Sequence, residues 1–338
     1  MLQYAGNPRE TADELATWEK AGLDMIWVPE AYGFDAPTLM GYLAAKTDTV
    51  KIGSAILNIF SRTPAALLQT AAGLDHLSQG RAEIGLGASG PQVIEGFHGV
   101  PYDRPLTRTR EIVKILRQGL RREPLVNEGI YTLPLPPDQG TGLGKPLKLI
   151  THPERADLPI WIAALAEKSV TATAEIADGW FPFLVYPEKV DAVWGAQLAT
   201  GTARRSPDLA PLQVSAGGLL AIGDGPDTKA MLDLARPSVA LYVGGMGARG
   251  KNFYNDLARA YGFEDAATQI QDLYLDGKKE QAAAAVPTEL LEAGNLIGPA
   301  SYVKERVEAF REAGITDLQI TPVGPDPKKL IEQVKSWL

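Results

Sequence analysis

Short apolar runs alternate with longer amphipathic segments along almost the whole chain, and this alternation limits the fold more than any other feature of the sequence. The runs have the length of β-strands, and the segments between them repeat apolar residues at helical spacing. Eight runs are predicted strands: Leu2–Tyr4, Met25–Val28, Val50–Leu57, Arg81–Leu86, Pro159–Ala163, Gly179–Phe183, Leu212–Ile222 and Asp317–Thr321. We therefore predict an α/β fold, a (β/α)8 TIM barrel with insertions.

Two segments depart from this alternation. Residues 124–158 are rich in Pro and Gly and are interpreted as an inserted excursion, whereas residues 225–300 are interpreted as a helical insertion before the last βα unit. The whole chain, residues 1–338, is expected to form a single barrel domain. The alternative is a doubly wound open sheet with a helical second domain, and one alternating series of eight strands favours the barrel.

The balance of charges argues against a nucleic-acid-binding protein. Among 338 residues, 33 are Lys or Arg and 41 are Asp or Glu, which gives a net charge of −8. Phosphate contacts require a basic surface, and none is indicated. The three histidines, His76, His98 and His152, are not spaced as metal ligands on a helix, so no metal site is expected.

The chain contains no cysteine, which excludes disulfides, thiolate nucleophiles and iron–sulfur clusters. The start of the sequence lacks a signal-peptide pattern, and no apolar stretch approaches the ~18 residues of a membrane-spanning helix. We therefore expect a cytoplasmic protein that makes no membrane contact and acts on a small-molecule substrate.

The glycine-rich string Gly85–Gly90 directly follows a predicted strand and spells the fingerprint of a dinucleotide-binding site. Its context does not fit that site, because four strands lead up to it and Gly96 and Gly99 break the helix that would receive a pyrophosphate. Its glycines and Ser89 can still expose backbone N–H groups to a phosphate. The alternative is a tight turn that needs glycine for its backbone conformation.

Several strings occur together in one order along the chain: Gly53–Pro64, Leu77–Arg81, Gly85–Val93, Glu95–Gly99, Arg108–Glu111, Ile162–Leu165, Glu175–Trp180 and Leu241–Gly247. Together they resemble the luciferase-like monooxygenase superfamily over nearly the whole chain. More narrowly, they resemble its branch that uses the deazaflavin coenzyme F420, similar to methylenetetrahydromethanopterin reductase. The resemblance implies a bacterial luciferase-like barrel and an F420-dependent oxidoreductase that transfers a hydride between the deazaflavin C5 and a small organic substrate. We expect a homodimer.

The same resemblance assigns residues to the cofactor. It implies a non-proline cis peptide at Ser54-Ala55, which would make a bulge behind the deazaflavin ring. The residues implied in cofactor binding are Ser54, Ala55, Asn58, Gly87, Ala88, Ser89, Gly90, Val93, Ala163, Ala164, Leu165, Ala166, Glu167 and Lys168. For the anionic glutamyl tail, the candidates are Lys168, Arg62, Arg249 and Lys251, each of which can equally be an ordinary surface cation.

The sequence departs from the family pattern after the second strand. Dehydrogenases of this branch carry an Asp-His pair there, and the His acts on the substrate proton, whereas this chain reads Pro29-Glu30-Ala31-Tyr32. Glu30 and Tyr32 are therefore the candidate catalytic residues, although Glu30 can equally be a structural acceptor for loop amides. The reductase direction is favoured, because hydride delivery to an activated double bond or imine needs less acid–base assistance.

His98 and Trp180 are predicted to line the substrate pocket, because the carboxyl ends of barrel strands host active sites. The alternatives are a loop histidine held by backbone groups and a tryptophan that only packs. Two other functions remain open: an FMN-dependent monooxygenase on the same fold, and a barrel that binds a flavin or ligand without catalysis. The sequence does not identify the substrate.

Overall fold

The computed structural model describes residues 7–338, and the predicted strand Leu2–Tyr4 lies outside that range. The chain divides into two compact units. The first comprises residues up to Ala164 together with 171–181 and 201–212, and the second comprises 165–170, 182–200 and 213–338. The single domain expected for residues 1–338 stays a prediction.

Parallel strands form the sheet of the first unit. They are β1 (Met25–Val28), β2 (Lys51–Ser54), β3 (Leu57–Asn58), β4 (Ala82–Gly87), β5 (Ile160–Ala163) and β6 (Gly179–Phe181). Their order is β1-β2-β4-β5-β6, and the short β3 also pairs with β4. The strands predicted between residues 25 and 183 are confirmed, except that the predicted Val50–Leu57 is split into β2 and β3.

Helices alternate with these strands, and the first three of those described begin where the sequence supplies a cap. The helices are α1 (Pro8–Trp18), α2 (Ala36–Lys46), α3 (Pro64–Leu77), α4 (Pro91–Gly96), α5 (Pro105–Leu120) and α6 (Glu167–Ile176). Asn7, Asp35 and Thr63 each accept a hydrogen bond from an amide in the first turn of α1, α2 and α3, and each of these helices has proline in that turn.

The second unit is built around the long strand β7 (Gln213–Ile222), which pairs in parallel with both β8 (Leu296–Gly298) and β9 (Asp317–Pro322). Its helices are α7 (Val190–Thr202), α8 (Pro226–Ala230), α9 (Arg236–Ala240), α10 (Phe253–Ala260), α11 (Glu264–Leu275), α12 (Lys279–Ala284), α13 (Thr288–Gly294), α14 (Ala300–Glu312) and α15 (Pro327–Lys335). A π-helical turn covers Leu241–Gly245. Strand β8 was not predicted, because three apolar residues directly after a helix carry no strand pattern of their own. In the described part of the chain, no helix is long and apolar enough to cross a membrane.

Side chains of the first unit fasten both ends of the excursion. Near its start, Glu111 on α5 accepts hydrogen bonds from the amides of Ile130 and Tyr131, both at 3.0 Å. Near its end, Arg155 forms an ion pair at 2.6 Å with Asp75, a buried residue of α3. An isolated bridge from Asn127 to Leu133 encloses the first attachment, and a short 3-10 helix, Pro137–Gln139, lies between the two attachments.

Three aromatic side chains pack together in the sheet of the first unit. The ring centroid of Trp27 lies 5.1 Å from that of Trp161 and 4.7 Å from that of Phe181, both in edge-on contact. These rings occupy space that glycines leave open. A Cβ added at Gly53 would lie 2.0 Å from Trp27, and one added at Gly179 would lie 2.1 Å from Trp161. A side chain on either glycine is therefore incompatible with the rings in their present positions.

We expect Gly179→Ala to lower the free energy of unfolding by about 1–3 kcal/mol, because its methyl group overpacks against Trp161. Urea unfolding followed by tryptophan fluorescence measures the change. Gly73→Ala is the matched control, because this glycine lies on an exposed position of α3 and an added Cβ meets no atom within 4 Å. That variant should be as stable as the parent or up to about 1 kcal/mol more stable, as alanine favours a helix. Equal stability of the two variants would contradict the packing argument.

Candidate active site

The predicted site residues of the first unit follow the carboxyl ends of neighbouring strands. Glu30 comes just after β1, Ser54 ends β2, Asn58 ends β3, Gly87 ends β4 and Ala163 ends β5. Because these strands are parallel, their carboxyl ends lie at one edge of the sheet. The register places Asn58 beside Gly87, and Gly87 beside Ala163. The structure therefore brings these predicted residues together.

Ser54 joins β2 to β4 through its side chain. Its hydroxyl donates to the carbonyl of Gly85 and accepts from the amide of Gly85, both at 2.9 Å. In the backbone ladder, β2 pairs with β4 only through Ile52 and Gly53. At the end of β2, the side chain of Ser54 supplies the hydrogen bonds between the two strands. Ser54 is fully buried. Its hydroxyl is thus bonded within the protein, and this contact gives Ser54 a structural role in the string Gly53–Pro64.

The cis peptide lies one residue later than expected. It joins Ala55 to Ile56, and the expectation of a cis bond between Ser54 and Ala55 was wrong. The amide of Ala55 still donates to the carbonyl of Val28 at 2.8 Å, so the Ser54–Ala55 peptide continues the strand pairing. The side chain of Ile56 then fills the space at Gly87, where an added Cβ would lie 2.8 Å from its methyl group.

Asn58 is buried, and only one of its two side-chain polar atoms has a hydrogen-bond partner among the described residues. Its Oδ1 accepts a hydrogen bond from the amide of Phe60 at 2.8 Å. Its Nδ2 is buried and has no hydrogen-bond partner in the described part of the chain. Buried polar groups in native proteins are nearly always paired, so this amide group is an exception that leaves one donor at the end of β3 for a ligand atom.

The predicted phosphate loop forms an ordered turn before α4. Ser89 has a positive φ of 56°, and its carbonyl accepts a hydrogen bond from the hydroxyl of Tyr102. The carbonyl oxygen of Gly90 accepts a hydrogen bond from the amide nitrogen of Val93 at 3.1 Å. Gly90 itself is extended, and an added Cβ would meet only the end of the Gln92 side chain, at 3.3 Å. Packing within the protein therefore does not require glycine at position 90, in contrast to Gly87.

The carboxylate of Glu30 is held by Arg62. The Nη1 and Nη2 atoms of Arg62 each donate to one oxygen of Glu30 at 2.7 Å, and Oε2 also accepts from the amide of Ala36 at 3.0 Å. Glu30 is buried, and its hydrogen bonds raise the pKa of Arg62. This geometry supports the structural interpretation of Glu30, which ties the loop after β1 to the segment after β3. It also occupies Arg62, a candidate for the cofactor tail.

The remaining predicted residues of the first unit differ in their surroundings. Tyr32 is 61% exposed, and Trp180 is fully buried. The indole Nε1 of Trp180 donates to the carbonyl of Ala164 at 2.9 Å, which supports the packing interpretation of this residue. His98 is half-buried, and its Nε2 is shielded and lacks a hydrogen-bond partner among the described residues.

The turn after β5 continues into the second unit, where it lines a cavity of about 460 Å³. The lining residues are Leu165, Ala166, Glu167, Lys168, Trp194, Phe253, Asp256 and Leu257. Of these, Trp194, Phe253, Asp256 and Leu257 were not predicted, because the helical segments that carry them have no recognisable motif. Lys168 is exposed at this cavity, whereas Arg249 forms an ion pair with Asp272 at 2.9 Å.

Comparison with known proteins gives concordant results. The family model described as luciferase-like monooxygenase matches residues 1–317. A protein of Mycobacterium tuberculosis that is named as a coenzyme F420-dependent oxidoreductase is 38% identical over 320 residues, which cover 93% of this chain and 91% of that protein. The 5,10-methylenetetrahydromethanopterin reductase of Archaeoglobus fulgidus is 26% identical over 324 residues, which cover 94% of this chain and 90% of the reductase.

Among solved structures, the coenzyme F420-dependent tetrahydromethanopterin reductase from Methanopyrus kandleri superposes with a TM-score of 0.79. It shares 23% sequence identity, and the match covers 97% of this chain and 94% of the reductase chain. This likeness confirms the predicted fold class, a TIM barrel of the luciferase-like type. From the family match and the 38% identical relative together, we conclude that the chain belongs to the luciferase-like monooxygenase family.

Proposed function

We propose that this enzyme is an oxidoreductase that uses coenzyme F420 and transfers a hydride between the deazaflavin C5 and a small organic substrate. The observation that carries the proposal is the 38% identity, over 93% of the chain, to a relative named as an F420-dependent oxidoreductase. When bound, the deazaflavin supplies the hydride chemistry, and the protein supplies binding, orientation and exclusion of water. We favour the reductase direction.

The residues at the strand ends fit such a group. Ala55, Ile56 and Ala163 are partly buried and pack against the aromatic cluster of Trp27, Trp161 and Phe181, so they present an apolar surface. A flat, largely apolar ring system is stabilised on such a surface, from which water is excluded. Beside it, the unpaired Nδ2 of Asn58 offers a donor to a carbonyl oxygen or a ring nitrogen.

The polar parts of the cofactor would be held by the segments that the sequence singled out. Backbone groups of the Gly87–Gly90 loop are suited to an anion, because short side chains leave them accessible. In the second unit, Lys168 lines a cavity together with Glu167 and Asp256, whose carboxylates oppose an anion. Tail binding by Lys168 therefore rests on the sequence resemblance alone.

The arrangement around Glu30 argues against a part for this carboxylate in proton transfer. Both of its oxygens are held by Arg62, so it is poorly placed to exchange a proton with a substrate. Reduction of a carbonyl and oxidation of the alcohol are the two directions of one step, and the same group donates the proton in one and accepts it in the other. We favour the reductase direction because hydride delivery to an activated double bond or imine needs less acid–base assistance.

Cofactor choice can be tested directly. We expect the purified protein to bind coenzyme F420 at least about tenfold more tightly than FMN, a difference of ~1.4 kcal/mol. Titration of the protein into each cofactor, followed by quenching of cofactor fluorescence, measures both dissociation constants. Preference for FMN, with oxygen consumption by the reduced flavin, would instead support a monooxygenase. Binding of F420 without turnover of any ketone, imine or activated alkene would support a non-catalytic barrel.

Asn58→Asp tests the donor proposed for the ring. The aspartate keeps an acceptor for the amide of Phe60 but removes the unpaired Nδ2, so the variant should fold and bind F420 about tenfold or more weakly. Gln79→Glu is the control, because it makes the same chemical change on an exposed residue after α3. Fluorescence titration measures both variants. Unchanged affinity in Asn58→Asp would exclude Asn58 from the cofactor site.

Glu30→Gln separates the two interpretations of Glu30. We expect the variant to lose about 1–3 kcal/mol of unfolding free energy, because the glutamine cannot hold both arms of the partly buried Arg62. Thermal unfolding with and without F420 measures this loss, and turnover per folded molecule should stay close to the parent. Tyr32→Phe, which removes one exposed hydroxyl, serves as the control. A fully stable Glu30→Gln variant with turnover reduced about a hundredfold would establish Glu30 as catalytic.

A further inference from the structure

With Glu30 held by Arg62 and Tyr32 61% exposed, neither candidate catalytic residue is a well-placed proton donor in the described part of the chain. The imidazole expected after the second strand in related dehydrogenases is absent from this chain. His76 lies at the end of α3, before β4 begins, and therefore at the edge of the sheet opposite to the site. Its Nδ1 pairs with Glu154 at 3.3 Å. His152 is an exposed residue of the excursion. Of the three histidines, His98 is the one on the site's side of the sheet.

His98 lies in the segment that follows the carboxyl end of β4. It follows α4, which follows β4, and its amide donates to the carbonyl of Val93 at 3.2 Å. Its ring packs edge-on against Phe97, with centroids 5.1 Å apart, and Phe97 lies 6.3 Å from Tyr32. The loops after β1 and β4 therefore approach each other at Tyr32 and Phe97, and His98 is the residue next to Phe97.

The imidazole of His98 is also incomplete in its hydrogen bonding. Its Nε2 is shielded from solvent and has no partner in the described part of the chain. A buried nitrogen without a partner costs free energy, and binding of a polar ligand atom removes that cost. Gly96 and Gly99 flank the Phe97-His98 pair, and a Cβ added at either would meet nothing within 4 Å. The space beside these two glycines is therefore not filled by other parts of the described chain.

We propose that Nε2 of His98 hydrogen-bonds the oxygen or nitrogen of a carbonyl or imine substrate and gives it the proton that completes the reduction. This inference rests on the proposed function. The substrate carbon accepts a hydride with its electron pair from the reduced cofactor, and the π electrons of the C=O or C=N bond move to the heteroatom. The proton of the imidazolium adds to that heteroatom, and solvent reprotonates the neutral imidazole. Histidine is the residue most often used for such a transfer.

Nuclear magnetic resonance of ¹⁵N-labelled histidine gives a test that does not depend on activity. The chain has only three imidazoles, and the variants His98→Asn, His152→Asn and His76→Asn assign their signals. Oxidised F420 is added first, with saturation checked by fluorescence, and cyclohexanone is then added as a carbonyl probe. We expect the ring nitrogens of His98 to shift on both additions, while those of His76 and His152 do not.

Each outcome of this titration has a distinct meaning. If F420 saturates the protein and the His98 signals stay in place through both additions, the inference about His98 is overturned and the proposed function stands. If F420 does not bind, the proposed function fails and the inference fails with it. A shift of His98 that matches shifts at His76 and His152 would report a general change of conformation and would also overturn the inference.

Kinetics with reduced F420 and either cyclohexanone or the cyclic imine 1-pyrroline supply the second readout. His98→Asn should bind F420 as tightly as the parent and lower turnover by about a hundredfold, with partial recovery on adding imidazole. His98→Gln guards against a folding defect specific to the first variant. The control His152→Asn should match the parent. Parental turnover in both His98 variants would overturn the inference.

Discussion

The packing of aromatic rings against glycines is the constraint on which the rest of the first unit depends. Trp27 lies beside Gly53 in the register, and Trp161 lies beside both Gly85 and Gly179. At Gly53 and Gly179 the tryptophan ring occupies the volume that the missing side chain leaves open, whereas the volume at Gly85 is bordered by the carbonyl of Ser54 and the ring of Phe181. A shift of β1 against β2 by one residue would place Trp27 beside Ile52 or Ser54 instead of Gly53, so this packing favours the observed register. The strand ends, and with them the site residues, take their positions from it.

Several charged residues in the strings that resemble the family have structural roles. The guanidinium of Arg81 donates to the carbonyls of Ala44, Thr47, Ser78 and Val50 at distances between 2.7 and 3.1 Å. It thereby ties the ends of α2 and α3 to the chain beside β2. Glu83, which lies between two of these strings, is buried and accepts hydrogen bonds from the indole of Trp161 and the ammonium group of Lys51. A motif rich in charge thus does not by itself mark a site of chemistry.

Features that depend on residues close together in the sequence, such as helix starts and strands, could be predicted. Contacts between residues far apart in the sequence could not. The proline and capping threonine before α3 were sufficient to place that helix, and alternation alone located most strands. The pairing of Glu30 with Arg62 joins residues 32 positions apart, and no local pattern reports it. The same holds for Ile56 filling the space at Gly87, which gives that glycine a packing role. The residues that line the cavity of the second unit lie mostly in helical segments. The spacing of apolar residues in those segments predicts a helix but does not indicate which residues line a cavity.

The excursion shows how one segment of the chain can vary while the fold is kept. It is fixed to helices near its two ends, at Glu111 and Asp75, and it adds no strand to the sheet. Between those attachments its apolar residues are largely open to solvent, with Leu143 83% and Ile150 93% exposed. A segment held in this way can be replaced without a change in the strands. Its middle can be shortened, lengthened or exchanged for that of a relative, while the strands beneath keep the same interior.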